Sequence, residues 1–142
     1  AETTDNFHVL LLYPGLEVVL HGGTFAAGPN VRFQVQGTRG SFIKYGLDPQ
    51  EERLRAGQRP DTPRWGAEEP EAYGTLHSPA GGEIIPTEWG GYQEFYAGVA
   101  LAIETDSEPP VPMADALTGI ALIERGRESS RQGRTLAFTY GK

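Results

Sequence analysis

The chain has 142 residues, with 12 Lys and Arg against 19 Asp and Glu, a net charge of −7 at pH 7. That length suits one domain over residues 1–142 with a single sizeable core. The acidic balance repels phosphate backbones and anionic lipid surfaces, so nucleic acid and membrane are not expected partners. The absence of cysteine removes disulfides, thiolate nucleophiles and thiolate metal sites, and suits a reducing cytoplasm.

The first residues, AETTDNF, carry neither the basic region nor the apolar run of a leader. They enter a strand pattern with no initiating Met, so the chain reads as cut from something longer. Four runs rich in β-branched and aromatic residues follow, at Phe7–Tyr13, Leu16–Phe25, Val31–Gln36 and Ser41–Tyr45. Pro14-Gly15, Gly28-Pro29-Asn30 and Gly37-Thr38-Arg39-Gly40 separate them, which is the pattern of an antiparallel meander. An even loop centred on Pro14-Gly15 sets Leu12 opposite Glu17, Leu10 opposite Val19 and His8 opposite His21. The other face then holds Phe7, Val9, Leu11, Tyr13, Leu16, Val18 and Leu20. Side chains alternate across a sheet, so a strand with one wet face is polar at every second position. This hairpin is largely apolar on both faces, and each needs a cover: helices of the chain on one, a partner subunit or further domain on the other.

Downstream, Asp48 reads as an N-cap with Pro49 in the first helical position, Glu51 and Glu52 in the first turn, and Gly57 as the stop. Residues 58–74 hold three prolines and mixed charge, the composition of a long surface loop. Thr75-Leu76 and Glu83–Ile85 form a hairpin through Ser78-Pro79-Ala80-Gly81-Gly82. Tyr92, Phe95, Tyr96, Val99 and Ile103 recur at helical spacing and predict an amphipathic helix over 92–103. A second helix is expected over 114–130, with Leu117, Ile120, Ala121 and Ile123 inward. Gly133 ends it, and Thr135–Tyr140 is a last strand candidate.

Chemistry-bearing residues are few. His8 and His21 are a cross-strand pair, yet zinc wants three or four converging ligands. The glycine clusters at 22–28 and 37–40 are followed by more strand. A phosphate cradle needs a helix N-terminus behind its glycines, so these are turns. Glu51, Glu52, Glu68, Glu69 and Glu71 fall in a helix start and a proline-rich loop, where carboxylates serve solvation and the helix dipole. No Gly-x-Ser-x-Gly elbow is present. Trp65 and Trp89, each beside glycine, suit either sugar stacking or plugging a core edge.

Four longer stretches carry more information than any of these groups: RFQVQGTRGSFIKYGLDPQEERLRAG, WGAEEPEAYGTL, GGYQEFYAGVALAI and PVPMADALTGIALIERGRESSRQGRTL. Together they resemble the C-terminal domain of the Gfo/Idh/MocA family of NAD(P)-dependent oxidoreductases, and most nearly its scyllo-inositol 2-dehydrogenase (NADP)-like branch. The resemblance implies an α/β (α+β) fold, an open, mostly antiparallel twisted sheet with helices packed on one face. It also implies a dehydrogenase acting on a hydroxyl or ketone of a sugar or inositol. In that family NAD or NADP is bound by an N-terminal Rossmann domain, and the catalytic acid/base residues also precede the point that resembles Ala1. This chain alone is then expected to be inactive, with no catalytic, cofactor-binding or metal residue of its own. Its expected partners are the missing Rossmann domain, a second subunit through the sheet face, and a polyol or sugar. The turn from Thr24 to Arg32 is expected nearest the substrate, with Thr24, Phe25, Asn30 and Arg32 as candidates; Arg32 equally suits a solvent-facing strand position. The alternative is a stand-alone, non-enzymatic dimerisation or ligand-binding module on the same sheet.

Overall fold

Pro14 and Gly15 make a two-residue turn, with Gly15 at φ 75°, a conformation glycine takes without steric cost. The turn joins strand β1 (Asn6–Tyr13) to β2 (Leu16–Gly23). The register is the expected one, Leu12 to Glu17, Leu10 to Val19 and His8 to His21. The structure is a computed structural model that describes residues 5–25, 27, 28 and 30–139. It separates into one unit comprising the residues up to Thr24 and those from Phe95 onward, and a second unit, Phe25–Glu94.

In the first unit the β1–β2 hairpin is a two-stranded sheet of its own. Helix α2 (Tyr92–Thr105) contributes all but its first turn to this unit, and α3 (Met113–Gln132) lies wholly within it. The covered face of α2 shares only Val99 with its expected apolar stripe, and α3 turns inward a different face from the one its bulky residues suggest. On α2 the covered line is Gly98, Val99 and Ala102. Gly98 abuts Pro110, where any Cβ would come within 2.3 Å of the proline ring. On α3 the half-buried line is Thr118, Leu122, Gly126 and Ser129, and Gly126 meets Val9 of β1. Small residues let a helix backbone approach its neighbour, so closeness, not bulk, selects this face. Leu117, Ile120, Ala121 and Ile123, expected inward, are exposed, as are Tyr96 and Ile103. Gly133, at φ 61°, ends α3 with Gly133 and Arg134 amides donating to Ser130 and Ser129 carbonyls. The strand expected at 135–140 does not form over 135–139. There the Arg125 side chain, not a neighbouring strand, donates to the Ala137 carbonyl at 3.0 Å; Tyr140 lies outside the described residues.

The second unit holds a four-stranded antiparallel sheet in the order β3 (Val31–Gly37), β4 (Gly40–Tyr45), β5 (Gly74–Ser78), β6 (Gly81–Ile85). Register places Phe33 opposite Lys44, Val35 opposite Phe42, and Phe42 opposite Leu76, so these share one face. Gly74 sits beneath the Phe42 ring, where a Cβ would be 2.1 Å from Cζ. After β4, helix α1 (Pro49–Arg55) begins as expected: the Asp48 side chain accepts from the Gln50 amide at 2.9 Å, with Pro49 in the first turn.

Residues 58–74 depart from a simple surface loop, because Trp65, Gly66, Ala67 and Glu68 are buried. Buried irregular backbone must have its carbonyls paired. Arg53 of α1 does this, donating to Arg64 O and Ala67 O at 2.9 Å each and also to Trp65 O. Gly66 and Gly90 cross in contact, the Gly90 amide donating to Gly66 O at 3.3 Å. A Cβ on Gly66 would stand 1.7 Å from Gly90 O.

Candidate functional site

Two cationic side chains of the second unit, Lys44 and Arg32, converge on Glu68. A carboxylate in a proline-rich segment is ordinarily solvated, yet Glu68 is only 5% exposed, and Lys44 of β4 is equally buried. The pair is bonded directly. Lys44 Nζ also donates to Ala72 O at 2.7 Å and Thr87 Oγ1 at 2.9 Å. An ammonium has three protons to give, and all three are taken, so Lys44 holds the segment in place and has none left to donate to a substrate.

Arg32 joins the same carboxylate, its Nη1 lying 3.4 Å from Glu68 Oε1 and its Nη2 3.9 Å from Asp48 Oδ2. Strict alternation would set Arg32 on the face opposite Phe33 and Lys44. The ladder instead slips between Val31 and Phe33, and a bulge of this kind re-aims a side chain. Arg32 thereby reaches the partner that Lys44 holds, with its guanidinium 5.3 Å from the Phe33 ring centroid. Behind Asp48 stands Gln50, fully buried. Its Nε2 donates to Asp48 Oδ1 at 3.0 Å, while its Oε1 accepts from the Tyr92 amide at 2.8 Å, capping the start of α2. Gly90 passes so close that a Cβ there would lie 2.5 Å from Gln50 Nε2.

Two cations and two carboxylates thus form a neutral quartet. Lys44 and Glu68 are its buried half; the side chains of Arg32 and Asp48 are each 26% exposed and are its outward half. What the quartet presents to solvent is a planar cationic donor beside a carboxylate acceptor. That combination suits neighbouring hydroxyl groups, one accepting from guanidinium and one donating to carboxylate.

The candidates read from the sequence fare differently. Arg32 lies in the quartet. Phe25 is 79% exposed and Asn30 is exposed. Thr24 belongs to the first unit and is held to Asp5, its amide and hydroxyl both meeting Asp5 O, at 2.9 and 3.2 Å. Ala26 and Pro29 of the same turn lie outside the described residues. Sequence reasoning missed Lys44, Asp48, Gln50 and Glu68 as members of one site. The signal it passed over is a lysine in the middle of an otherwise apolar strand, SFIKY, which wants a buried anion. His8 and His21 stack, with centroids 4.3 Å apart. Trp65 is buried and Trp89 exposed.

Among the described residues the glycine pairs serve turns and close packing. Gly37 and Gly40 close the β3–β4 hairpin, and Gly22 of β2 lies against the Phe7 ring. Gly90-Gly91 does precede a helix, but the Tyr92 amide there already donates to Gln50. The start of α1 is taken by the Asp48 carboxylate. Among the described residues no group of three or more metal-binding side chains gathers, and no helix is long and apolar enough to cross a membrane.

Comparison with known proteins bears on the whole chain. The sequence profile described as "Oxidoreductase family, C-terminal alpha/beta domain" (GFO_IDH_MocA_C) matches residues 1–138. The chain is 40% identical over 144 residues to scyllo-inositol 2-dehydrogenase (NADP(+)) IolW of Bacillus subtilis, covering 99% of this chain and 40% of that protein. It is 42% identical over 142 residues to an uncharacterized oxidoreductase of Escherichia coli, YdgJ, covering 97% of this chain and 40% of that one. The structure of the Bacillus subtilis oxidoreductase yvaA superposes with a TM-score of 0.89 at 39% identity, over 98% of this chain and 43% of that one. The chain therefore spans about 40% of the length of the curated relatives it matches.

Proposed function

This chain belongs to the C-terminal α/β domain family of the Gfo/Idh/MocA oxidoreductases, and from that premise we propose that it is the substrate-side part of an NAD(P)-dependent dehydrogenase acting on a sugar or inositol. The observation that carries the substrate class is the outward half of the quartet, Arg32 beside Asp48. A carbohydrate offers neighbouring hydroxyls, and Arg32 would donate to one while Asp48 accepts from the next. The buried Lys44–Glu68 pair keeps Arg32 from wandering, because Glu68 anchors both cations. Likeness to a relative named for scyllo-inositol and NADP(+) supports the same class.

The nicotinamide dinucleotide, in this reading, is held by a nucleotide-binding domain outside these 142 residues. That group supplies the redox chemistry; the residues of this chain orient the hydroxyls and contribute no proton transfer. The doubly apolar hairpin supports subunit association: Leu10, Leu12 and Val19 of one face are all more than half exposed. The test is a chimera in which this chain replaces the matching segment of IolW. NADP(+)-dependent oxidation of scyllo-inositol is expected, with Arg32→Met raising KM for the polyol at least about tenfold, the loss of roughly 1.4 kcal/mol of binding, and leaving KM for NADP(+) unchanged. A folded chimera that binds NADP(+) yet oxidises no inositol or sugar contradicts the reading and favours a non-enzymatic module.

A further inference from the structure

Arg32 and Asp48 face each other without closing: Nη2 and Oδ2 stand 3.9 Å apart, beyond hydrogen-bond length. Opposite charges so near gain by shortening such a gap, so each must be held from behind. On the Arg32 side the anchor is Glu68. On the Asp48 side it is Gln50, a fully buried side chain.

Capping alone does not account for that glutamine. A cap for α1 needs only the Gln50 backbone amide, which donates to Asp48 Oδ1 at 2.9 Å. A cap for α2 needs only Gln50 Oε1, which accepts from the Tyr92 amide at 2.8 Å. Neither uses Nε2, which donates to the same Asp48 Oδ1 at 3.0 Å. One carboxylate oxygen thus carries two donors, and the group cannot turn without breaking both bonds, each worth about 1.5–3 kcal/mol where one partner is charged. The oxygen left to face Arg32 and solvent is therefore Oδ2.

The carboxamide is itself fixed the right way round. Flipped end for end, it would set Oε1 against Asp48 Oδ1 and Nε2 against the Tyr92 N–H, acceptor on acceptor and donor on donor. Gly90 closes the back of the arrangement. A Cβ there would lie 2.5 Å from Gln50 Nε2 and 3.3 Å from Asp48 Oδ2, and the Gly90 amide is tied to Gly66 O at 3.3 Å.

We propose that Gln50 is a positioning residue for polyol binding, an assignment that rests on Arg32 and Asp48 being the polyol contacts. It holds Asp48 back from Arg32, so that Oδ2 stays open to one hydroxyl while the guanidinium stays open to the next. Released from Gln50, Asp48 closes on Arg32, and the two satisfy each other in place of the substrate.

The IolW chimera carries the test, read at each pH as the ratio of variant to parent KM for scyllo-inositol. Asp48→Asn keeps its side-chain oxygen on the two Gln50 donors and turns an NH2 outward in place of Oδ2, so KM is expected to rise at least about tenfold at every pH. Gln50→Glu keeps an acceptor for the Tyr92 amide and sets a second carboxyl against Asp48, with Arg32 and Glu68 the charged groups beyond it. Two carboxyls in contact share a proton. Protonated, the new carboxyl donates to Oδ1 as Nε2 did; ionised, it repels Asp48. The ratio for Gln50→Glu is expected near one at about pH 6 and at least about tenfold toward about pH 9. Gln50→Met, which carries neither donor nor charge, is expected to raise KM by a similar factor at every pH. In each variant KM for NADP(+) and kcat at saturating polyol should stay close to the parent, the signature of lost uniform binding.

Thermal melting at each pH separates loss of fold from loss of position, and where Gln50→Met does not fold, the pH profile of Gln50→Glu decides alone. If Asp48→Asn keeps the parent KM, the polyol reading of the pair falls and the assignment of Gln50 with it. If Asp48→Asn raises KM while the ratio for Gln50→Glu is flat with pH, or folded Gln50→Met follows the parent, Gln50 is a helix cap alone and the proposal is overturned.

Discussion

The Phe25–Glu94 unit buries charge, whereas the β1–β2 hairpin leaves hydrocarbon in water. In the first, Lys44, Glu68 and Gln50 are almost wholly enclosed, and nearly every polar atom among them has a named partner. In the second, Leu10, Leu12 and Val19 are exposed on the face that carries a stacked histidine pair. A buried ion pair is poor at adding net stability but severe when half of it is removed. An exposed apolar strand face contributes little to its own unit and gains when something covers it. The contrast separates residues that hold a local shape from residues whose role is expressed against another surface.

The largest effect is expected at the crossing of Gly66 and Gly90. Gly66→Ala places a methyl where Gly90 O stands, and neither backbone strand can yield without releasing Trp65 and Glu68. A loss above about 4 kcal/mol, read by chemical denaturation, is expected. Lys44→Met comes next, because it leaves the buried Glu68 carboxylate with only the longer Arg32 contact; a cost of about 3 kcal/mol is expected. Adding Glu68→Gln to Lys44→Met should restore part of it, and a double variant worse than the single one would show that the pair is not what matters there.

Moving to the hairpin should invert the pattern. Leu10→Glu with Val19→Lys replaces exposed hydrocarbon by an opposed ion pair across the strands, and a change within about 0.5 kcal/mol is expected in stability. Self-association, measured by sedimentation at high protein concentration, should fall sharply. Unchanged sedimentation would remove the subunit-contact role from this face. The smallest effect is expected on α3. Arg131 and Gln132 donate to the Glu128 carboxylate, with the Arg131 charge beside it, and hold its pKa below the usual 4.5. A lowered carboxylate pKa stabilises the folded state above the unfolded value, and that contribution fades as pH drops through the folded one. The melting temperature should therefore fall slightly in Glu128→Gln at neutral pH, with the difference closing in acid.

Much of the hairpin was legible in the sequence, because a two-residue loop at Pro14-Gly15 leaves one register and fixes every cross-strand partner. The start of α1 was legible for a similar reason, Asp48 and Pro49 each having a single suitable place at a helix start. The quartet was not. Arg32 reaches Glu68 through a bulge, and no residue pattern in VRFQVQ announces an extra residue in the ladder. Glu68 looked like one acid among several in a proline-rich loop, since its burial depends on Lys44 twenty-four residues earlier. The helix faces misled for another reason. Periodicity of large apolar residues points to Leu117, Ile120 and Ile123, but Gly98 and Gly126 mark where close approach occurs.

In the proposed function this chain shapes a substrate wall and a contact surface, and the nicotinamide cofactor is seated elsewhere. Calorimetric titration of NADP(+) into the 142-residue chain tests that division most directly. No binding is expected at micromolar concentrations, and a saturable micromolar isotherm would contradict the account.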